Sequence, residues 1–458
     1  MTNANVNSKE MLIPTEQPAQ RTAFCKIFTV GAGKYRSFQS GIQVHSFDAE
    51  KQEWQEVDAR FREAKDLPGA NHAGIEDPAY LSVGPIVSVY AGTTGETPFL
   101  SIKDNGEYRL SFGMEGVRPV TPEIPENDGS EKYIKENASD DPAEETFLRA
   151  MFKAQGTVCY TDIFPGVDYT CHTDGQVENT FVFRSSEAAR DIVLLVKTEG
   201  LSAREDKDSS VVFTDGTGKT VFTICPPYIY DAAGEEGKVS VSLEEGDGSF
   251  TIRYVPDPSF MGSAVYPVTL DPVIRSRNYS SSIEDAYICS SNPNANFNAS
   301  STMYVTNSGR IGTCVGLLQF TQLPPLGADH FITNGTLVMN FYQKPDNTIA
   351  FYVREVTSGW SASTVKWNNK PTWNTTTVQD YAKKYSDNQY KAATPFDVTQ
   401  LTRNWYRNSE LNHGVAVTSS EKHSLQRNVL HPGSGVEPEA VPQNRIRIPG
   451  RSGRIPDL

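Results

Sequence analysis

The stretch "GTLVMNFYQK", residues 335–344, sets Leu337, Met339 and Phe341 two residues apart. In an extended chain that spacing puts all three on one face, which predicts a strand with one side toward a core. Similar bursts surround it: "EDAYICS", "TMYVTN", "VGLLQFTQL", "IAFYVREVT" and "HGVAVTS", five to eight residues each with turn signals between. Short strands separated in this way predict a β-sandwich over residues 275–420, jelly-roll-like in form.

The same grammar holds upstream. "FCKIFTV", "YLSVGPIVSVYAG" and "YRLSFGM" suggest an N-terminal β domain over 21–118, after a polar lead-in at 1–20 expected to be disordered. "DIVLLVKTEG", "SVVFTDGTGKTVFTI" and "KVSVSLEEGDGSFTIRYV" suggest a second β domain over 147–274. Asp215-Gly216 and Asp247-Gly248 fit hairpin tips. Between these two, residues 119–146 combine proline with acidic excess and are expected to be a linker or long loop. The tail, 421–458, loses strand alternation. It reads as a disordered extension, or as a frame that has left the normal final strand. The predicted class is mostly β, with two or three antiparallel sandwich-like domains.

Composition bounds the partners. The 458 residues carry a formal charge of −14, with the acidic excess in the first 274 residues and a slight basic excess over 275–420. An acidic half lacks the basic footprint that phosphate binding needs, so no nucleic-acid partner is expected. No apolar run reaches the roughly 18 residues of a spanning helix, and the first residues lack the pattern of a signal peptide. Six cysteines lie singly along the chain. Cys159 with Cys171, or Cys289 with Cys314, could pair in an oxidising compartment; the other reading is buried free thiols.

Catalytic signatures do not assemble. Seven histidines lie far apart, no GxSxG elbow occurs, and "GTGKT" at 216–220 has Phe213 where a phosphate loop needs glycine. No enzymatic site is expected.

Binding signals concentrate in "WSASTVKWNNKPTWNT", residues 360–375, which holds three of the five tryptophans. Trp360 and Trp367 are expected to pack as core or inter-sheet wedges, and Trp405 to pack with Leu401 and Val398. Trp373, in a polar turn-prone context, is the indole with a claim to exposure. There it could stack on a sugar, with Lys366, Lys370 and Arg354 as neighbouring cations. Asp285 and the asparagine-rich "NPNANFN" that follows, Asn294 included, could hold Ca²⁺ through oxygen ligands. The alternative is a turn whose amides bond their own backbone.

The run from "EDAYICSSNPNANFN" through "GWSASTVKWNNKPTW" and "FDVTQLTRNWY" to "NHGVAV", about 279–420, resembles the DNRLRE domain. That domain is a β-sandwich of bacterial surface proteins related to carbohydrate-binding module family 96. "EWQEVD", "FPGVDYTCHTDGQVENTFVF" and "YPVTLDP" resemble the region preceding such domains in large secreted proteins, which often continue into RHS-type YD repeats. The resemblance implies an extracellular or cell-surface protein that binds a polysaccharide or mediates adhesion without catalysis, with downstream domains of a longer protein as partners. The alternative it implies is a structural N-terminal segment of an RHS-type toxin-delivery protein with no ligand of its own.

Overall fold

The computed structural model describes residues 13–66, 74–106, 108–126, 130–138, 141–233, 235–246, 248–298, 303–308, 312–341, 349–384, 393–419 and 445–447. It is mostly β, built from antiparallel sheets.

The centre of the molecule is a pair of large sheets around one core. The first has the order Val239–Glu245, Ser249–Pro256, Ile192–Lys197, Arg109–Met114, Leu100–Asp104, Val87–Ala91, Tyr80–Val83, Arg62–Glu63. The second runs Gly156–Phe164, Val167–Thr173, Val177–Phe183, Val273–Ser276, Thr220–Ile224, Val211–Asp215, Leu201–Glu205, with Tyr228–Tyr230 and Val268–Asp271 beside it. Alternation does the sorting: in Ser249–Pro256 every second residue, Phe250, Ile252 and Tyr254 among them, is buried. Phe99, Tyr160, Tyr169 and Phe181 meet ring to ring across the core, with centroids 4.9–5.8 Å apart in successive pairs.

Arg109–Met114 is hydrogen-bonded to Ile192–Lys197, so one sheet draws strands from both sides of residues 119–146. The expected division between 21–118 and 147–274 therefore runs through a shared sheet. Residues 119–146 also differ from the expected loop. Ser130–Asn137 and Pro142–Lys153 are α-helices. Asp141 caps the second by accepting from the Ala143 amide, with Pro142 in the first turn. The buried side chains Ile134, Ala138, Phe147, Leu148 and Met151 pack on Ile42, Val44, Val57 and Ala59 of the N-terminal strands. The acidic surface of these helices hid their apolar stripe.

Part of the lead-in is also structured: Thr15–Glu16 pairs with Cys25–Gly31, which pairs in turn with Lys34–Gln39. Beneath them the fully buried Lys26 ammonium meets Glu16 at 3.1 Å and Glu56 at 2.5 Å. Burial alone would raise the Glu56 carboxyl, but the Lys26 hydrogen bond and charge, followed by Lys153, bring it down to about 2.

The third region is a sandwich. One sheet has the order Ile283–Cys289, Gly312–Phe320, Val415–Ser419, Ile349–Glu355, Asp380–Lys384, with Thr306–Ser308 beside Gly312–Phe320. The facing sheet holds Met303–Tyr304, Arg445–Arg447, Thr336–Phe341 and Ala393–Asp397. Between them pack Tyr287, Leu318, Leu337, Met339, Phe351, Phe396 and Trp405. Leu337 and Met339 point inward while Val338 is exposed; the side chain of Phe341 lies outside the described residues. In the tail, 445–447 form a strand, and 421–444 and 448–458 lie outside the described residues. Cys289 and Cys314, directly opposite in register, are joined by a disulfide, whereas Cys25, Cys159, Cys171 and Cys225 are not disulfide-bonded.

Candidate carbohydrate-binding face

The first sheet of the sandwich is covered on both sides. Tyr287, Cys289, Cys314, Leu318, Val415 and Val417 face the inner core; Ala286, Ile288, Val315, Leu317 and Ala416 face the other way. Over this outer face lies the tryptophan-rich loop. Trp360, Trp367 and Trp373 are all half-buried and pack on the same outer cluster. Trp360 and Trp367 therefore sit outside the sandwich, not between its sheets, and Trp373 shares their surroundings. Trp405, 3% exposed, is the indole of the inner core, tilted against Phe320 at 5.9 Å.

Polar groups, all but one of them neutral, pin the loop. The Trp360 Nε1–H donates to the His413 carbonyl at 2.9 Å. Asn296 donates from Nδ2 to the carbonyls of Ala362 and Val365 at 2.8 and 2.7 Å. Asn368 donates its amide N–H to Pro293 and its Nδ2 to Asn294 Oδ1. The Glu284 carboxylate accepts from the Ala362 amide at 3.1 Å. The asparagine-rich segment 292–298 is thus a clasp on the loop. The carbonyl oxygen of Asn294, named above for Ca²⁺, accepts from Asn368, and among the described residues no group of three or more His, Cys, Asp or Glu comes together. Gly414, at φ +78, lets the strand Val415–Ser419 close on Gly312–Phe320: a Cβ there would stand 1.9 Å from the Leu318 carbonyl oxygen.

Beside the loop, the outer face carries aromatic and basic side chains, Tyr381 and Lys370 exposed and Tyr352, Arg354 and Lys366 half-buried. Tyr352 and Tyr381 are cross-strand partners with ring centroids 6.1 Å apart, and Tyr381 is 57% exposed. The Arg354 guanidinium lies 5.5 Å from the Tyr352 ring centroid and donates to the carbonyls of Asn374 and Thr375. Lys370 Nζ sits 4.4 Å over the Trp367 ring and donates to that residue's carbonyl. The Lys366 amide is held by Asn369 Oδ1. Flat rings flanked by fixed cations can stack on a sugar face while amides and guanidinium groups bond its hydroxyls or carboxylates. Tyr352 was readable in "AFYVRE", where it alternates with Phe351 and Val353; Tyr381 enters only through strand pairing.

Residues 276–431 match the sequence profile of Carbohydrate-binding module family 96. Along more of its length, the chain is similar to bacterial nucleases. It is 22% identical over 423 residues to the tRNA3(Ser)-specific nuclease WapA of Bacillus spizizenii, covering 87% of this chain and 16% of the relative. It is 27% identical over 273 residues to the tRNA(Glu)-specific nuclease WapA of Bacillus subtilis subsp. natto and to the tRNA nuclease WapA of Bacillus subtilis, covering 54% of this chain and 11% of each relative. The chain thus spans under a fifth of the length of these relatives. Their names correct two sequence expectations: they point to nuclease activity against the expectation of no enzyme, and the exclusion of nucleic acid partners is unsupported. Acidic composition over 274 residues describes only this stretch, whereas the relatives are several times longer. No described helix is long and apolar enough to cross a membrane.

Proposed function

We propose that residues 276–431 bind a polysaccharide outside the cell, and that the aromatic and basic strip of the outer face makes the contact. The observation that carries this reading is the match to a carbohydrate-binding module over that region. Tyr381 and Tyr352 offer the stacking surface; Arg354, Lys370 and Lys366 supply cations, and Trp373 backs the strip. The test is affinity electrophoresis of the chain in gels cast with neutral or acidic polysaccharides. Retardation is expected with at least one of them, reduced about two- to tenfold in apparent affinity by Tyr381→Ala, because an aromatic stack is worth about 0.5–1.5 kcal/mol. Unretarded migration in every gel, or retardation indifferent to Tyr381→Ala and Arg354→Ala together, would sink it.

The relatives' names favour a second, compatible reading: the chain is a segment of a larger surface or toxin-delivery protein that cleaves tRNA. Incubating the full-length protein with tRNA and mapping the cleaved ends tests this. Discrete fragments are expected; intact tRNA would remove the reading.

A further inference from the structure

Where the third region meets the second, a half-open cleft of about 240 Å³ is lined by residues from both. Arg275 and Tyr279 come from the end of the second region. Glu284, Asp285, Asn298, Ser361 and Ser363 come from the sandwich. The junction that frames it is tightly bonded. Tyr228 and Tyr287 both donate their phenol O–H to Glu236 Oε1, and burial foremost keeps both phenols protonated. Ser281 and Ser282 donate to the carbonyls of Gly41 and Ser40 at 2.8 and 2.6 Å.

The lining is preorganised. Arg275 donates from Nε to Gln176 Oε1 at 2.9 Å and lies 5.1 Å from the Tyr279 ring centroid. Burial works against its charge, but Cys225, Tyr279, Asp285 and Asp174 outweigh that and hold it on. Asp285 is only 5% exposed. Its position inside the sandwich strand Ile283–Cys289 fixes it on a rigid element.

We infer that this cleft takes a single neutral, hydroxyl-rich pyranose ring, either free or as a chain end. The size is below the roughly 300–1,000 Å³ of pockets for drug-sized ligands, which leaves room for one small ring. The Asp285 carboxylate accepts from a hydroxyl, the guanidinium and Asn298 donate to hydroxyl or ring oxygens, and Tyr279 offers an aromatic face. Arg275 set against Glu284 and Asp285 leaves a net negative lining, which disfavours a uronate. The cleft therefore selects differently from the basic outer strip. It also needs residues on both sides of position 276, so it is not a property of the sandwich alone. This inference rests on the carbohydrate reading of the same region but not on the outer strip.

Saturation-transfer NMR on the full chain carrying Tyr381→Ala and Arg354→Ala, which silence the outer strip, with glucose and glucuronate as probes, tests it. Transfer to glucose is expected, with little to glucuronate. Asp285→Asn should weaken glucose binding about tenfold or more, since hydrogen bonds to charged groups are the strong ones. Asp285 is buried, so that variant can fail through folding. Ser363→Phe, at an exposed rim position, fills the opening instead and should abolish transfer with the melting temperature unchanged. Absence of transfer to glucose, equal transfer to glucuronate, or transfer surviving Ser363→Phe would each overturn the inference. Polysaccharide retardation persisting beside such a result would leave the outer strip standing and remove the cleft alone.

Discussion

Trp405 and Trp360 serve one sheet from opposite sides. Trp405 lies in the inner core among Leu401, Phe396 and Val415, and its Nε1 finds no hydrogen-bond partner among the described residues. Trp360 lies half-buried on the outer cluster, with its Nε1–H given to His413. The first indole is held by close packing alone, the second by a shallow apolar seat plus one directed bond. The difference teaches that the position of an indole relative to the sheets, and not its local sequence, decides whether it is core or cover.

Trp405→Ala should have the largest effect, about 3–5 kcal/mol of stability, because it empties a filled site between two sheets. Urea denaturation followed by far-UV circular dichroism measures it; a loss below that of any outer-loop variant would break the comparison. Asn296→Ala comes next at about 1–3 kcal/mol, because the carbonyls of Ala362 and Val365 lose their donor. Limited proteolysis should then cut first within 357–374, and protection equal to the native chain would mean the clasp contributes nothing. Trp360→Phe keeps a ring on the cluster and removes only the bond to His413, so about 1 kcal/mol is expected from its thermal denaturation.

Acid sharpens the contrast because mostly neutral groups hold both indole layers, the Glu284 carboxylate on the Ala362 amide apart. It acts on the N-terminal strands. Burial first, with Lys26 and Arg21 nearby, holds His45 down at about 4 against an ordinary 6.5. The unfolded chain therefore binds the extra proton, and stability falls as pH drops from about 6.5 toward 4. Glu56, at about 2 against 4.5, continues the loss between about 4.5 and 2. Hydrogen exchange should rise in Cys25–Gly31 well before Val415–Ser419; the reverse order would contradict the assignment of charge to the first region and neutrality to the third.

Strand type was legible because alternation is a property of neighbours in sequence, as in Phe250, Ile252 and Tyr254. Pairing was not. Nothing near Arg109 announces Ile192–Lys197 as its neighbour, so a shared sheet reads as two domains. The helices at 130–153 left a signal that acidic content outweighed: Asp141 before Pro142, then two glutamates, is a helix start. For the site, alternation in "AFYVRE" marked Tyr352 and Arg354 as outward, but exposure of Tyr381 depends on register across some thirty residues. Two-sided burial was written in "AYIC" and "CVGLLQ", whose unbroken apolar runs have no solvent face to leave polar.

The two phenols that share Glu236 have a mechanical meaning. If the sandwich holds a sugar as proposed, the load would pass through that clamp and the serine bonds to residues 40 and 41. That load would divide between the strand Tyr228–Tyr230 beside the second large sheet and the N-terminal strands at residues 40 and 41, so the spacing from anchorage to both would be set by the fold itself.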